Sequence, residues 1–372
     1  MIVDKIRRQE KRESVTVQDV AKAAQVSVGT VSRVFNNNPN VAEDLKQRVL
    51  KTAGELGYVG LAGQHAQSPH PKTLKEILFL HAVELGAQDI SIASDPYWSQ
   101  MLRGVESEAR KSNIKLTYKS IVDTSRLSSL LPTHFNEKRQ SGVLLITPHY
   151  VPDQMTDLIQ QLQAINVAVV LIDNVLPDQP VDCVLADNFG GARQVVDHLI
   201  SEGHREIAFI GVPMVARPGR RPVCISYTVN QREEGYRMAL IDADLPVKDE
   251  LYEPGDLTPE GGYAACKRLL ERQAKFTAIF CVNDNMAIGA MKALREANLL
   301  VPDNISLAGF DDIDIVQHLA PPLTSVRYSK EAIGATAVRK LIWRANDAKG
   351  EKVVSLVRVE LIKRTSVSPR QD

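Results

Sequence analysis

The stretch TVQDVAKAAQVSVGTVSRVFNNNPNVAEDLKQRVLKTAGELGY, residues 16–58, carries the local signals of short helices separated by turns. A first helix is predicted from Val17 to Ala24. It is followed by the break Gln25-Val26, after which Ser27 can cap a second helix from Val28 to about Asn36. The run NNNPN ends that helix, because Asn and Pro favour turns over helix interiors. The stretch therefore predicts two short helices joined by a tight turn.

A third helix is predicted after this pair, because Leu45, Val49, Ala53 and Leu56 fall on one stripe and Gly57 is a natural end. Two helices joined in this way form a helix-turn-helix, whose second helix enters the major groove of DNA. The side chains expected to hold the two helices together are Val20, Ala21, Val26, Val31 and Val34. Those expected to face outward are Val28, Gly29, Thr30, Ser32 and Arg33.

The same stretch closely resembles the headpiece of the lactose/galactose repressor family, and we expect the helix-turn-helix headpiece at residues 15–59. The resemblance implies that Val28, Gly29 and Arg33 read base edges. It also implies phosphate contacts, which suit hydroxyl and amide groups, from Thr16, Gln18, Ser27, Thr30, Ser32, Asn36 and Asn40. Arginine can donate two hydrogen bonds to guanine, whereas valine makes only apolar contact. The alternative is a generic three-helix bundle with Arg33 as a solvated surface charge.

Two features depart from the family pattern. Gln25 stands where the family often has glycine, and a left-handed backbone there costs about 1 kcal/mol. Residues 60–73 are expected to form a hinge or linker, because GLAGQHAQSPHPK offers little to bury. Within it, Gly60 replaces the family's proline and Gln67 the leucine that wedges into the minor groove, so the sequence leaves minor-groove insertion open.

From residue 74 onward, apolar runs such as GVLLI and TAIFCV alternate with amphipathic helical stretches. This pattern predicts parallel sheets covered on both faces, with enough units for two lobes. The stretch CVNDNMAIGAMKALREANLLVPDNISLAGFDDIDIVQHLAPPLTSV extends the family resemblance, which implies a periplasmic-binding-protein-like sensor of two doubly wound lobes at residues 74–366. Three crossovers, near residues 186, 326 and 356, are expected to separate an N-lobe of about 74–185 and 327–355 from a C-lobe of about 186–326 and 356–366.

Polar residues directly follow three predicted strands, at the edge where open α/β sheets bind ligands. By resemblance Asp173, Asn283 and Asp311 point into the cleft between the lobes, with Arg232 as a charged donor and Tyr328 as a wall. Tyr97 and Trp98 begin the first helix of the N-lobe, where the family contacts its ligand. Such a set suits a sugar, which needs a stacking face and partners for its hydroxyls, and a purine or nucleoside could use the same groups.

Simpler roles remain open for these residues. Tyr97 and Trp98 could belong to the lobe core, and Asp173 and Asp311 could cap strand ends. The four cysteines, Cys183, Cys224, Cys266 and Cys281, show no metal-ligand spacing and indicate free thiols. No nucleophile elbow, phosphate loop or metal motif is present, so we expect neither an enzyme nor a cofactor.

The charge pattern gives limited information, because 45 Lys and Arg balance 45 Asp and Glu. Residues 1–60 carry a net charge of +3, part of it in a basic extension at residues 1–14. That extension lacks the apolar run of a signal peptide, and no stretch could span a bilayer, which argues against an exported solute-binding protein. The sequence therefore predicts a cytoplasmic regulator that binds operator DNA and a small effector. The final run VVSLVRVELIKRTS has no leucine heptads after it, which favours a homodimer.

Overall fold

The chain was analysed as a computed structural model. The structure describes residues 17–35, 41–55, 74–82, 96–121, 141–146, 152–176, 179–217, 220–224, 226–347 and 350–370. The basic extension at residues 1–14, the hinge at residues 60–73 and the proposed DNA contacts Thr16, Asn36 and Asn40 lie outside the described residues. The chain divides into two units, residues 1–71 and 72–372.

The first unit contains the three expected helices, α1 (Val17–Ala23), α2 (Val28–Phe35) and α3 (Glu43–Glu55). Small β-branched and alanine side chains at helical spacing let these short helices approach closely. Their core comprises Val20, Ala21, Ala24, Val31, Val34, Val49 and Ala53, with Val26 and Val41 packed against it. The predicted three-helix headpiece is therefore confirmed.

The turn between α1 and α2 depends on Gln25, which adopts the left-handed conformation with φ 55°. The N–H of Val26 donates to the carbonyl of Ala21 at 3.0 Å, so the chain closes tightly after α1. This is the glycine-type helix end formed without glycine. Gln25 therefore adopts the left-handed backbone for which the sequence predicts a strain of about 1 kcal/mol.

The second unit alternates strands and helices. In chain order they are β1 (Glu76–Ala82), α4 (Pro96–Lys111), β2 (Lys115–Ile121), β3 (Ser141–Ile146), α5 (Pro152–Ala164), β4 (Ala168–Ile172), β5 (Asp182–Ala186), α6 (Asn188–Ser201), β6 (Ile207–Gly211), β7 (Met214–Arg217), β8 (Arg220–Cys224), α7 (Tyr227–Asp242), β9 (Tyr252–Pro254), α8 (Pro259–Glu271), β10 (Ala278–Cys281), α9 (Asp284–Glu296), β11 (Ser306–Ala308), β12 (Ser325–Arg327), α10 (Lys330–Asn346), β13 (Val354–Val357) and β14 (Glu360–Ile362).

These strands form two parallel sheets. One has the order β13-β5-β4-β3-β1-β2 and the other the order β11-β10-β6-β9. In addition, β12 pairs with β14 and β7 pairs with β8, both antiparallel. The chain passes from the first sheet to the second after β5, returns after β12, when α10 packs on α4, and leaves again after β13. The predicted fold class, an all-α headpiece and two parallel-sheet lobes, is confirmed.

One fully buried strand, β5, was absent from the sequence prediction. It begins at Asp182, a residue type that is depleted in strands. The carboxylate of Asp182 is buried because Arg344 of α10 pairs with it, Nη2 lying 3.0 Å from Oδ1. This partner lies far along the chain, so no local pattern could show it.

Parallel strands place their carboxyl ends at one edge of each sheet, and the polar residues that follow β4, β10 and β11 lie there. Asp173 follows β4 in the first lobe, whereas Asn283 and Asp311 follow β10 and β11 in the second. Within the described part of the chain, no helix combines the length and the apolar character needed to cross a bilayer.

Candidate DNA-binding surface and interlobe site

The candidate DNA-binding surface is the outer face of α2 and the turn before it. Val28 is 44% exposed, and Gly29 and Arg33 are also exposed. Gln18 of α1 and Ser27 are exposed, Thr30 is half-buried, and Ser32 lies on the same helix. The structure therefore leaves the proposed base-reading residues accessible to a partner.

The N-terminus of α2 has features that favour binding of an anion. The hydroxyl of Ser27 accepts from the N–H of Thr30 at 3.0 Å and lies 2.9 Å from the Thr30 hydroxyl, so Ser27 caps the helix as predicted. The sequence of α2 contains no acidic residue, and Arg33 adds a positive charge. Helix N-termini and arginine side chains both bind phosphate oxygens, so this surface is suited to a DNA backbone.

A chain of hydrogen bonds connects the two lobes of the second unit. The phenol of Tyr97, in the first turn of α4, donates to Oδ2 of Asp173 at 2.7 Å. The phenol of Tyr328 donates to Oδ1 of Asp311 at 2.8 Å, and the two phenol oxygens lie 3.2 Å apart. We call Asp173, Tyr97, Tyr328, Asp311 and Arg232 the interlobe network.

Arg232, on α7, anchors this network in the second lobe. Its Nη2 donates to Oδ1 of Asp311 at 2.9 Å, while Nε and Nη1 donate to the side chain of Asn188 and the carbonyl of Val282, each at 2.8 Å. The guanidinium lies over the ring of Phe310, 3.8 Å from its centre. Because the arginine is buried, the carboxylate and the stacked ring compensate for the hydration that it loses.

The backbone at the strand ends is unusual. Asp173 and Asp311 have φ values of 57° and 105°, and Asp312 has a φ of 47°. Such conformations are uncommon outside glycine and concentrate at binding sites, and aspartate tolerates them better than most residues. Asp312 is held by Arg327 and Arg364, each with a contact of 2.6 Å.

Burial alters the acid–base chemistry of the network. It raises the pKa of Asp173 to about 6, although the hydrogen bond from Tyr97 and the charge of Arg232 oppose this shift. It also raises the pKa of Tyr97 and that of Tyr328 well above the ordinary tyrosine value. Both phenols are therefore neutral hydrogen-bond donors at physiological pH.

The structure brings five of the seven proposed ligand-binding residues into one network and places the other two beside it. The ring of Trp98 meets that of Tyr97 edge to face, with centres 4.7 Å apart, and packs against the core. Asn283 caps α9, because its side chain accepts from the N–H of Met286 at 2.9 Å and donates to the carbonyl of Leu257 at 3.0 Å.

Sequence reasoning missed two polar residues of this region, Asn188 and Lys330, and did not include a third, Asp284, among the ligand-binding residues. Asn188 follows the strand β5, which was itself not predicted, and Lys330 lies two residues after Tyr328. Asp284 is buried and accepts from the hydroxyl of Ser325 at 2.6 Å and the N–H of Ile313 at 2.9 Å. Its position beside Asn283 at a strand end was the one available signal.

Two family models match the chain. Residues 16–60 match that of bacterial regulatory proteins of the lacI family. Residues 196–367 match that of a periplasmic binding protein-like domain. The first covers α1 to α3 and the second covers most of the second lobe, in agreement with the predicted fold class.

Similar proteins of known type extend over nearly the whole chain. The HTH-type transcriptional repressor PurR of Mannheimia succiniciproducens is 30% identical, over 95% of this chain and 98% of its own. The probable HTH-type transcriptional repressor ExuR of Bacillus subtilis is 31% identical with the same coverage. A solved structure of the transcriptional regulator CelR in complex with cellobiose is 28% identical, has a TM-score of 0.67, and matches 95% of this chain and 99% of its own.

The two curated relatives are repressors of transcription, so the prediction of a regulator and not an enzyme is confirmed. Family model, full-length identity and fold agree with the helix-turn-helix and the two lobes joined by the interlobe network. The chain therefore belongs to the lacI family of bacterial regulatory proteins.

Proposed function

We propose that this chain represses transcription from a near-palindromic operator, which it binds as a homodimer, and that a small effector in the interlobe site controls its operator affinity. The observation that carries this proposal is the hydrogen-bond chain from Asp173 to Arg232. A ligand that binds within this series of hydrogen bonds contacts both lobes at once. It thereby changes the relative free energies of two lobe arrangements, which is how a ligand shifts a second binding equilibrium.

The effector that we propose is a sugar or sugar derivative. Asp173 and Asp311 offer carboxylate acceptors, Arg232 offers donors, and the rings of Tyr97 and Trp98 offer apolar surface. The cellobiose bound to the related regulator CelR supports this class. A purine or nucleoside is the alternative, because a planar base can stack on the same rings.

The headpiece supplies the DNA contacts in this proposal. We assign base readout to Val28, Gly29 and Arg33, since their exposed face lies on the second helix of the helix-turn-helix. The phosphate contacts are assigned to Thr16, Gln18, Ser27, Thr30, Ser32, Asn36 and Asn40. Because bacterial operator DNA lies in the cytoplasm, we propose that the chain acts there.

Selection of binding sites from random DNA, followed by a thermal-shift screen, tests the proposal. The full chain is expected to enrich a near-palindromic sequence, which is then titrated in the presence of each sugar, nucleoside or nucleobase that raises the melting temperature. An effector is expected to change operator affinity at least five-fold. Failure to enrich any sequence would refute operator binding, and an affinity that no stabilising compound changes would refute effector control.

A further inference from the structure

Lys330 is a buried cation placed where two physical effects oppose it. It is 3% exposed and is the first residue of α10. Burial removes the hydration of an ammonium group, and the positive end of a helix dipole disfavours a cation in the first turn. Burial lowers the pKa of Lys330, whereas the nearby carboxyls of Asp311, Asp284 and Asp312 oppose that shift.

Nothing in the described part of the chain neutralises this charge by direct pairing. The ammonium donates to the main-chain carbonyl of Asp311 and lies 4.5 Å from the ring centre of Tyr328 and 5.9 Å from that of Tyr97. The carboxylate of Asp311 is itself occupied by Arg232 and Tyr328. No carboxylate of the described residues lies within ion-pairing distance of the Lys330 ammonium.

Unused hydrogen-bonding groups surround the interlobe network. Lys330 has three N–H groups and uses one, while Arg232 has five and uses three with partners among the described residues. Oδ1 of Asp173 is buried and has no hydrogen-bond partner there. Buried polar groups whose hydrogen-bonding capacity is only partly used lower stability, and in natural proteins they concentrate at functional sites.

We infer that the effector is a polyhydroxylated molecule with an anionic group, carboxylate or phosphate, and that Lys330 is the specificity-determining residue that binds this group. The inference rests on the proposed function, since it concerns the same interlobe site. An anion supplies the counter-charge that the ammonium lacks. Hydroxyl groups of the same molecule can donate to the unpartnered oxygen of Asp173.

Calorimetry with matched sugars tests the inference. The probes are glucose, glucuronate and glucose 6-phosphate, together with galactose and galacturonate, all at equal ionic strength. At least one anionic sugar is expected to bind ten-fold or more tightly than its neutral parent. Comparison of glucuronate with glucose 6-phosphate shows whether the site prefers a carboxylate or a phosphate. Equal or tighter binding of the neutral parents would overturn the inference.

Variants at Lys330 identify the residue responsible. Lys330→Gln is expected to weaken binding of the anionic sugar ten-fold or more and that of a neutral sugar less than two-fold, while Lys330→Arg, which keeps the charge, retains at least part of the preference. The matched control is Lys267→Gln, because Lys267 also lies over a tyrosine ring, that of Tyr263, but is exposed. Equal losses for the neutral and anionic probes in Lys330→Gln would count against the inference.

A second measurement decides the case in which no sugar of this panel binds. Acetate and inorganic phosphate, compared with chloride at the same ionic strength, are expected to raise the melting temperature of the wild type but not of Lys330→Gln. An equal anion-induced rise in both proteins, or no rise in the wild type, would overturn the inference. Operator titrations separate it from the proposed function. Operator binding that responds only to a neutral sugar refutes the anionic effector alone, whereas no operator binding refutes the function.

Discussion

The phenol oxygens of Tyr97 and Tyr328 lie 3.2 Å apart, and the single phenol proton of Tyr328 faces two acceptors, the Tyr97 oxygen and Oδ1 of Asp311 at 2.8 Å, while Tyr97 donates to Asp173. While both carboxyls are ionised, the hydrogen bond between the two tyrosines is therefore the longer and weaker share of one proton. A proton on Asp173 supplies a second, because the protonated carboxyl can donate to Tyr97, which can then donate to Tyr328. The link between the lobes thus depends on the protonation state of Asp173.

This link predicts that the free energy of unfolding depends on pH, and that Asp173→Asn removes this dependence. The pKa of Asp173 in the folded chain, about 6, lies above its ordinary value of 3.8, so the folded state binds the proton more tightly than the unfolded state does. The contribution of the Asp173 proton to folding stability is complete below about pH 3.8 and is lost as the pH rises through 6. We therefore expect the variant to gain stability relative to the wild type, by at most about 3 kcal/mol, between pH 4 and pH 7.

Urea denaturation followed by tryptophan fluorescence measures this difference. Both tryptophans, Trp98 and Trp343, lie in the second unit, so the signal reports the lobes and not the headpiece. A stability difference between variant and wild type that stays constant over this pH range would contradict the role assigned to Asp173.

Asp311→Asn is expected to shift the effector response and leave DNA binding intact. Asparagine preserves the shape of the side chain but removes the charge that pairs with Arg232. A charge-assisted hydrogen bond between the effector and the Asp311 carboxylate is expected to contribute about 1.5 to 3 kcal/mol. Its loss should raise the effector concentration at half-response about ten-fold or more. Operator affinity without effector should change less than about two-fold.

Operator titrations at increasing effector concentration provide the measurement. Asp242→Asn is the matched control, because Asp242 is an exposed residue of α7 that pairs with Arg193 at the surface. If Asp311→Asn and Asp242→Asn both keep the wild-type dose response, Asp311 does not bind the effector.

Arg33→Ala is expected to abolish discrimination between operator and random DNA. The side chain of Arg33 is exposed on α2, and an arginine that binds guanine contributes about 1 to 3 kcal/mol of specificity. Salt-sensitive binding to any DNA should remain. Gel-shift titrations are compared with Arg48→Ala, which removes an exposed arginine of α3. Unchanged specificity in Arg33→Ala would exclude it from base readout.

The buried pair of Asp182 and Arg344 is expected to be critical for stability. Asp182→Asn leaves the Arg344 guanidinium buried without its anion, which typically costs about 3 to 5 kcal/mol. The exposed pair of Arg103 and Glu331, 3.3 Å apart, is the control, and Glu331→Gln should cost less than about 1 kcal/mol. Urea denaturation compares them, and equal losses would show that the buried pair has no special role.

The proposed homodimer is tested by analytical ultracentrifugation at micromolar concentration. Two-fold related half-sites in an operator require two headpieces related by the same symmetry. The sedimenting species is expected to have twice the mass of one chain. A mass of one or four chains would exclude the dimer.

The sequence alone determined the headpiece and the class of fold. The cap of Ser27, the turn at Gln25 and the spacing of Val20, Val31 and Val34 are local signals, and they act within a few residues of one another. Alternating strands and helices likewise predicted parallel sheets. Polar residues after buried strands also indicated Asp173 and Asp311 as candidates.

Only the tertiary structure decided which of these groups meet and what each one pairs with. Tyr97 and Tyr328 are 231 positions apart, and Arg232 reaches Asp311 across 79. Asp182 carries a charge that would predict exposure, yet it is buried, because its partner Arg344 comes from an element 162 positions along the chain. Lys330 is buried as well, with its ammonium on the main-chain carbonyl of Asp311. A local pattern records the preference of each residue for water or core, whereas the compensation of a buried charge depends on contacts that exist only after the lobes have folded.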